Sequence, residues 1–101
     1  MSQTGIRAQF SVMTPDRELL TGWVSQGDKR AFRPLVERHA GLVHGVAMRR
    51  TGGSQTLARE IGQNVFTMLA RKAGSLTRHT SIASWLYRAT LLEAAHQLRQ
   101  E

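Results

Sequence analysis

The chain is 101 residues long, enough for one domain and too short for two with separate cores. Hydrophobic residues make up 41% and aromatics only 6%, which excludes wholesale disorder and leaves packing to Leu, Val, Ile, Ala and Met. No cysteine is present, excluding disulfides and cysteine-bound zinc, while fourteen Lys and Arg against seven Asp and Glu give +7, carried mainly by arginine.

Such a balance favours an anionic polymer as partner, because the planar guanidinium donates two hydrogen bonds at once to a phosphate. No apolar run approaches the roughly 20 residues that a bilayer span requires, and no secretory signal opens the chain. The cysteine-free composition fits a reducing, cytoplasmic setting.

Residues 1–13 mix Ser, Gln, Thr and Gly without periodicity and read as a flexible N-terminal arm; residues 14–101 form the domain. Thr14-Pro15-Asp16 signals a helix start: a capping hydroxyl, proline at the first helical position and an acid against the dipole. Leu19, Leu20, Trp23 and Val24 supply its apolar side, and Gly27 ends it. Asp28 caps a second helix running to about Arg50, with Pro34 implying either a kink or a true start nearer Ala31. Ala31, Phe32, Leu35, Val36, Leu42, Val43 and Val46 fall on one face at helical spacing. His39 lies inside that face and reads as a core histidine with a hydrogen-bond partner. Gly41 and Gly45 offer a place for another helix to approach closely.

The turn "TGGS" at Thr51 to Ser54 leads to a third helix, expected from Gln55 to Lys72 with Ser54 as cap and Gly74 beyond its end. Leu57, Ala58, Ile61, Val65, Phe66, Met68 and Leu69 cover about half its circumference. A polar, basic loop from Gly74 to Thr80 follows, and a closing helix begins near Thr80 or Ser81. No segment alternates with period two for long enough to make a strand. The expected fold is therefore all-α, a bundle of about four helices.

Catalysis finds little support in this pattern. There is no phosphate-cradling glycine loop, no nucleophile elbow and no paired carboxylates on one helix face. His39 and His44 are turned about 140° apart on an ideal helix, so they do not share a metal from adjacent turns. The chain therefore reads as a non-enzyme without metal or cofactor.

Two helical strips carry the binding argument. On the third helix Glu60, Gln63 and Thr67 step by three and four residues, a continuous polar row suited to docking another helix. On the last helix Trp85, Arg88, Leu92, His96 and Arg99 do the same. Guanidiniums contact phosphates, and a flat aromatic stacks on unpaired bases. The apolar residues of this helix shift around its circumference, as expected where its two halves pack on different neighbours. Equally, a buried Trp85 anchor among ordinary solubilising arginines would produce the same row.

These segments, "LLTGWVSQGDKRAFRPLVERHAGLVHGVAMRRTG", "LAREIGQNVFTMLARKA" and "SWLYRAT", in that order, resemble region 2 of bacterial sigma-70 family sigma factors. The extracytoplasmic-function (group 4) class is the nearest in pattern, and the likeness covers Pro15 to Arg99. Ala58, Glu60, Gln63 and Phe66 form A-x-E-x-x-Q-x-x-F, and Trp85 to Arg88 form "WLYR".

The resemblance implies a helical module of transcription initiation. The helix with Glu60 and Gln63, joined by Asn64 and Thr67, would dock on the β′ clamp coiled coil of core RNA polymerase. The loop from Ala73 to Thr80 would hold a flipped-out base of the promoter −10 element, and the helix after it would lie along the non-template strand. The DNA-binding set is then Lys72, Arg78, His79, Thr80, Trp85, Arg88 and Arg99. Glu60 replaces the usual Asp and keeps the carboxylate, whereas Leu92 and His96 stand where the family often has Asn and Asp. The family's −35-reading domain has no counterpart in these residues. The rival reading is a helical protein-interaction module whose partner is an anti-sigma protein. The two working surfaces are expected on opposite sides of the bundle.

Overall fold

The computed structural model of the protein describes residues 13–78 and 81–100. Four helices account for nearly all of them: α1 (Asp16–Gln26), α2 (Lys29–Arg50), α3 (Gln55–Leu76) and α4 (Ile82–Arg99). Among the described residues there is no strand, as the all-α expectation required. The proposed arm, apart from Met13, lies outside the described residues.

Helix α1 starts one residue later than its sequence signal. Pro15 occupies the N-cap in an extended conformation and supplies no side-chain cap of its own. The Pro15 carbonyl accepts the amides of Glu18 and Leu19 at 3.0 and 3.2 Å. Thr14, the expected capping residue, is buried. A proline ring fixes φ at a value shared by helix and polyproline backbone, so Pro15 fits either side of the boundary.

Asp16 does more than oppose the dipole. Its carboxylate accepts from the Arg38 guanidinium at 3.0 Å and lies 2.8 Å from His39 Nε2, so one acid tethers α1 to α2. The expected partner of His39 is therefore this carboxylate, at the edge of the core. Trp23 makes the matching tie to α3: its indole N–H donates to the Ala70 carbonyl at 3.0 Å, and its ring lies 5.0 Å from that of Phe32. Gly27 closes α1 with φ of 60°, the left-handed conformation that glycine adopts at little cost.

Asp28 caps α2 as expected, accepting from the Arg30 amide at 2.9 Å. The helix begins at Lys29 and runs through Pro34. A proline this near the N-terminus removes a single ladder bond, the one to the Arg30 carbonyl, and the buried Ala31 and Leu35 on either side hold the turn in place. Gly41 and Gly45 do not receive another helix. A Cβ at Gly41 would meet nothing within 4 Å, and one at Gly45 would meet only Arg49 of its own helix.

Ser54 caps α3 by accepting from the Leu57 amide at 3.2 Å. The helix passes the expected stop at Lys72 and takes in Gly74. Ala73 and Leu76 are 0% and 3% exposed, and their burial outweighs the roughly 1 kcal/mol that a helical glycine costs. The expected loop from Gly74 to Thr80 is thereby shortened at its front end. Ser81 caps α4, accepting from the Ser84 amide at 3.0 Å.

The core gathers Leu19 and Leu20 from α1, Leu35 and Val43 from α2, Ile61, Val65 and Leu69 from α3, and Leu86 from α4. Helix α1 packs on α2 and α3, while α4 packs on both α2 and α3. The wandering apolar side of α4 thus has its two neighbours. Thr90 is fully buried there with its hydroxyl donated to the Leu86 carbonyl at 2.6 Å, so no polar group is stranded.

Candidate nucleic-acid interface

The placement of the predicted site residues follows from how α3 and α4 are registered. The Asn64 amide donates to the Glu93 carboxylate at 2.8 Å. About two turns further along α3, Lys72 shares a cleft with Trp85 near the start of α4, and Met68 shares it with Ala89 between them. The two helices therefore run antiparallel, stepping past each other turn by turn.

That register brings three of the DNA-assigned residues together. Trp85, Arg88 and Lys72 line one cleft of about 370 Å³, floored by Met68 and Ala89. Trp85 is half-buried and packs against the core, so it is partly a packing anchor and partly an accessible aromatic surface. Lys72 and Arg88 are exposed, and among the described residues neither enters a salt bridge. Their charges are available to an outside anion.

Other members of the set stand apart. Arg99 is exposed at the far end of α4, about 16 Å beyond Arg88 at 1.5 Å per residue, and does not belong to the cleft. Arg78 is exposed in the turn after α3. His79 and Thr80 lie outside the described residues.

Glu60, Gln63 and Thr67 are all exposed along the outward side of α3, opposite the buried row Ile61, Val65 and Leu69. Thr67 donates its hydroxyl to the backbone carbonyl of Gln63 at 2.8 Å, and the Gln63 side chain is exposed. Asn64, exposed beside Gln63, also takes part in a second arrangement. With Gln97, which donates at 3.0 Å, it satisfies Glu93 and stitches α3 to α4.

Beside Gln63, Asn64 and Thr67, which line its polar rim, runs a trough of about 560 Å³, which Phe32 and Val36 of α2 and Gly62, Phe66 and Ala70 of α3 line with mostly apolar surface. The sequence spacing places Phe32, Val36 and Phe66 on the apolar faces of α2 and α3. They are half-buried, and their remaining surface forms this trough. Only the cross-helix packing reveals it. The polar row is thus bordered by the apolar trough toward α2 and by the basic cleft toward α4. The two working surfaces adjoin along α3 rather than occupying opposite sides, because both borrow residues of that one helix.

Among the described residues no helix is long and apolar enough to cross a membrane. No group of three His, Asp or Glu is placed to hold a metal ion among them. Residues 35–101 match the family described as Sigma-70 region 2. No curated protein and no solved structure matches the chain.

Proposed function

Because the chain belongs to the Sigma-70 region 2 family, we propose that it docks core RNA polymerase through α3 and holds the opened −10 strand of a promoter against α4. Membership makes it a sigma factor region concerned with polymerase binding and promoter recognition, a transcription-initiation domain rather than a member of an enzyme family. The finer reading assigns it to the extracytoplasmic-function type. Its expected place of work is the bacterial cytoplasm, at the nucleoid.

The observation that carries this reading is the cleft in which Lys72, Trp85 and Arg88 converge. Two free cations flank a half-exposed indole, the combination that tracks a phosphate backbone while stacking its unpaired bases. Glu60, Gln63 and Thr67 present a neutral-to-acidic row beside it, with no cation between Glu60 and Thr67 to repel a basic partner helix. The role for Glu60, Gln63 and Thr67 is docking on the β′ clamp coiled coil. Lys72, Arg78, Trp85 and Arg88 take the non-template strand, and Arg99 serves as an outlying phosphate contact.

Neutralising the cleft tests the assignment. In the double variant Lys72→Ala, Arg88→Ala, the slope of log affinity against log salt for single-stranded −10 oligonucleotides should fall by about 1.4, at roughly 0.7 per phosphate contact. Polymerase capture should stay near wild type. An unchanged slope would remove the cleft from the strand-binding surface. Binding confined to an anti-sigma protein, with no oligonucleotide bound, would favour the protein-interaction reading and give the apolar trough to that partner.

A further inference from the structure

We infer that Leu92 reads a thymine through its 5-methyl group at the open end of the cleft between α3 and α4. This rests on the strand-binding reading above and adds a base preference to it.

Leu92 is 72% exposed, the largest exposure of any large apolar side chain within the four helices. An isolated surface leucine needs no explanation. Leu92, however, lies one helical turn beyond Arg88 and two beyond Trp85, on the same wall of the same cleft. The wall therefore runs from aromatic face, to guanidinium, to bare isobutyl group. A strand whose phosphates meet Lys72 and Arg88 and whose base meets Trp85 would bring a neighbouring base to Leu92.

Leucine offers a base no hydrogen bond. Its chemistry distinguishes bases in one way, by apolar contact, and thymine carries the only methyl group among the four DNA bases. The neighbouring polar group is Glu93, which also lines the cleft and would accept from the cytosine amino group. Its Oε2 already accepts from Asn64 and Gln97 at 2.8 and 3.0 Å. Leu92 projects further into solvent than Glu93, so the methyl contact dominates at the mouth of the cleft.

Replacing thymine by deoxyuridine deletes the methyl and nothing else, which makes it the direct probe. Fluorescent single-stranded oligonucleotides spanning a −10 segment, with each thymine exchanged singly for deoxyuridine, are titrated with the chain alone and with its core polymerase complex. At one position the exchange should weaken binding about four-fold, the effect of burying one methyl group. In Leu92→Ala, thymine and deoxyuridine at that position should bind alike. Because the residue is so exposed, this variant keeps its fold, and its melting curve verifies that. Equal affinity for thymine and deoxyuridine at every position in the wild type overturns the inference, as does a preference for cytosine at that position. Discrimination that persists in Leu92→Ala overturns it too. In these cases salt-dependent strand binding that is lost on neutralising Lys72 and Arg88 leaves the broader reading standing. If no oligonucleotide binds in either format, both fall.

Discussion

The two flanks of α3 differ in material although they share a helix. Toward α2, the Gln63–Thr67 row borders a trough walled by Phe32, Val36 and Phe66, with no cation among its lining residues. Toward α4, the cleft sets Lys72 and Arg88 around Trp85. An apolar trough with a polar rim is what a protein helix docks into, since burial supplies affinity and the rim supplies register. A cleft with free cations and one aromatic face suits a polyanion with bases to stack. The lesson is that net charge describes the whole chain poorly. What matters is that Lys72 and Arg88 line the cleft toward α4, whereas no cation lines the trough toward α2.

The sharpest way to break this contrast is to damage what the flanks share. Leu69 is fully buried on α3 beneath both, and Leu69→Ala should cost about 2–5 kcal/mol of stability. Thermal unfolding would register it, and polymerase capture and strand binding should fail together on warming. If only one failed, the two flanks would not depend on a common core.

Single-flank changes should separate the activities. Trp85→Ala should remove about 1–3 kcal/mol of strand affinity, measured by oligonucleotide titration, while Trp85→Phe should recover much of it by restoring a ring. No recovery with phenylalanine would mean that Trp85 acts as a packing anchor only. On the other flank, Gln63→Ala should weaken polymerase capture by about 1–2 kcal/mol with the melting temperature unchanged. Capture equal to wild type would take Gln63 out of the docking row.

The smallest expected effect is the most discriminating. Asn64 adjoins Gln63 in sequence, yet its amide is committed to Glu93 across the helix pair. Asn64→Ala should lower stability by about 1 kcal/mol or less and leave polymerase capture alone, as befits an exposed tie between α3 and α4. A capture defect as large as that of Gln63→Ala would return Asn64 to the docking surface.

Much of this organisation could be read along the chain. Caps at Asp28 and Ser54, the glycine stop at Gly27, a last start near Thr80 or Ser81 and the periodic apolar rows located four helices, because these signals act within one or two turns. The errors fell where a distant residue intervened. Helix α3 overran Lys72 because the bundle had space to bury Ala73 and Leu76. Asp16 looked like a dipole partner, but Arg38 and His39 claimed it from another helix.

By itself, the sequence determined helix number and type, the polar row on α3, and the cationic and aromatic residues of α4, since each follows from spacing along a single helix. Only tertiary structure decided which of those residues meet. The antiparallel register of α3 and α4 joined Lys72 to Trp85 and Arg88, left Arg99 outside, and engaged Asn64 with Glu93. Packing of α2 on α3 left one side of Phe32, Val36 and Phe66 open as the wall of a trough. The reason is geometric: a helix fixes the neighbours of a residue three and four positions away, whereas contacts between helices depend on how their surfaces interlock.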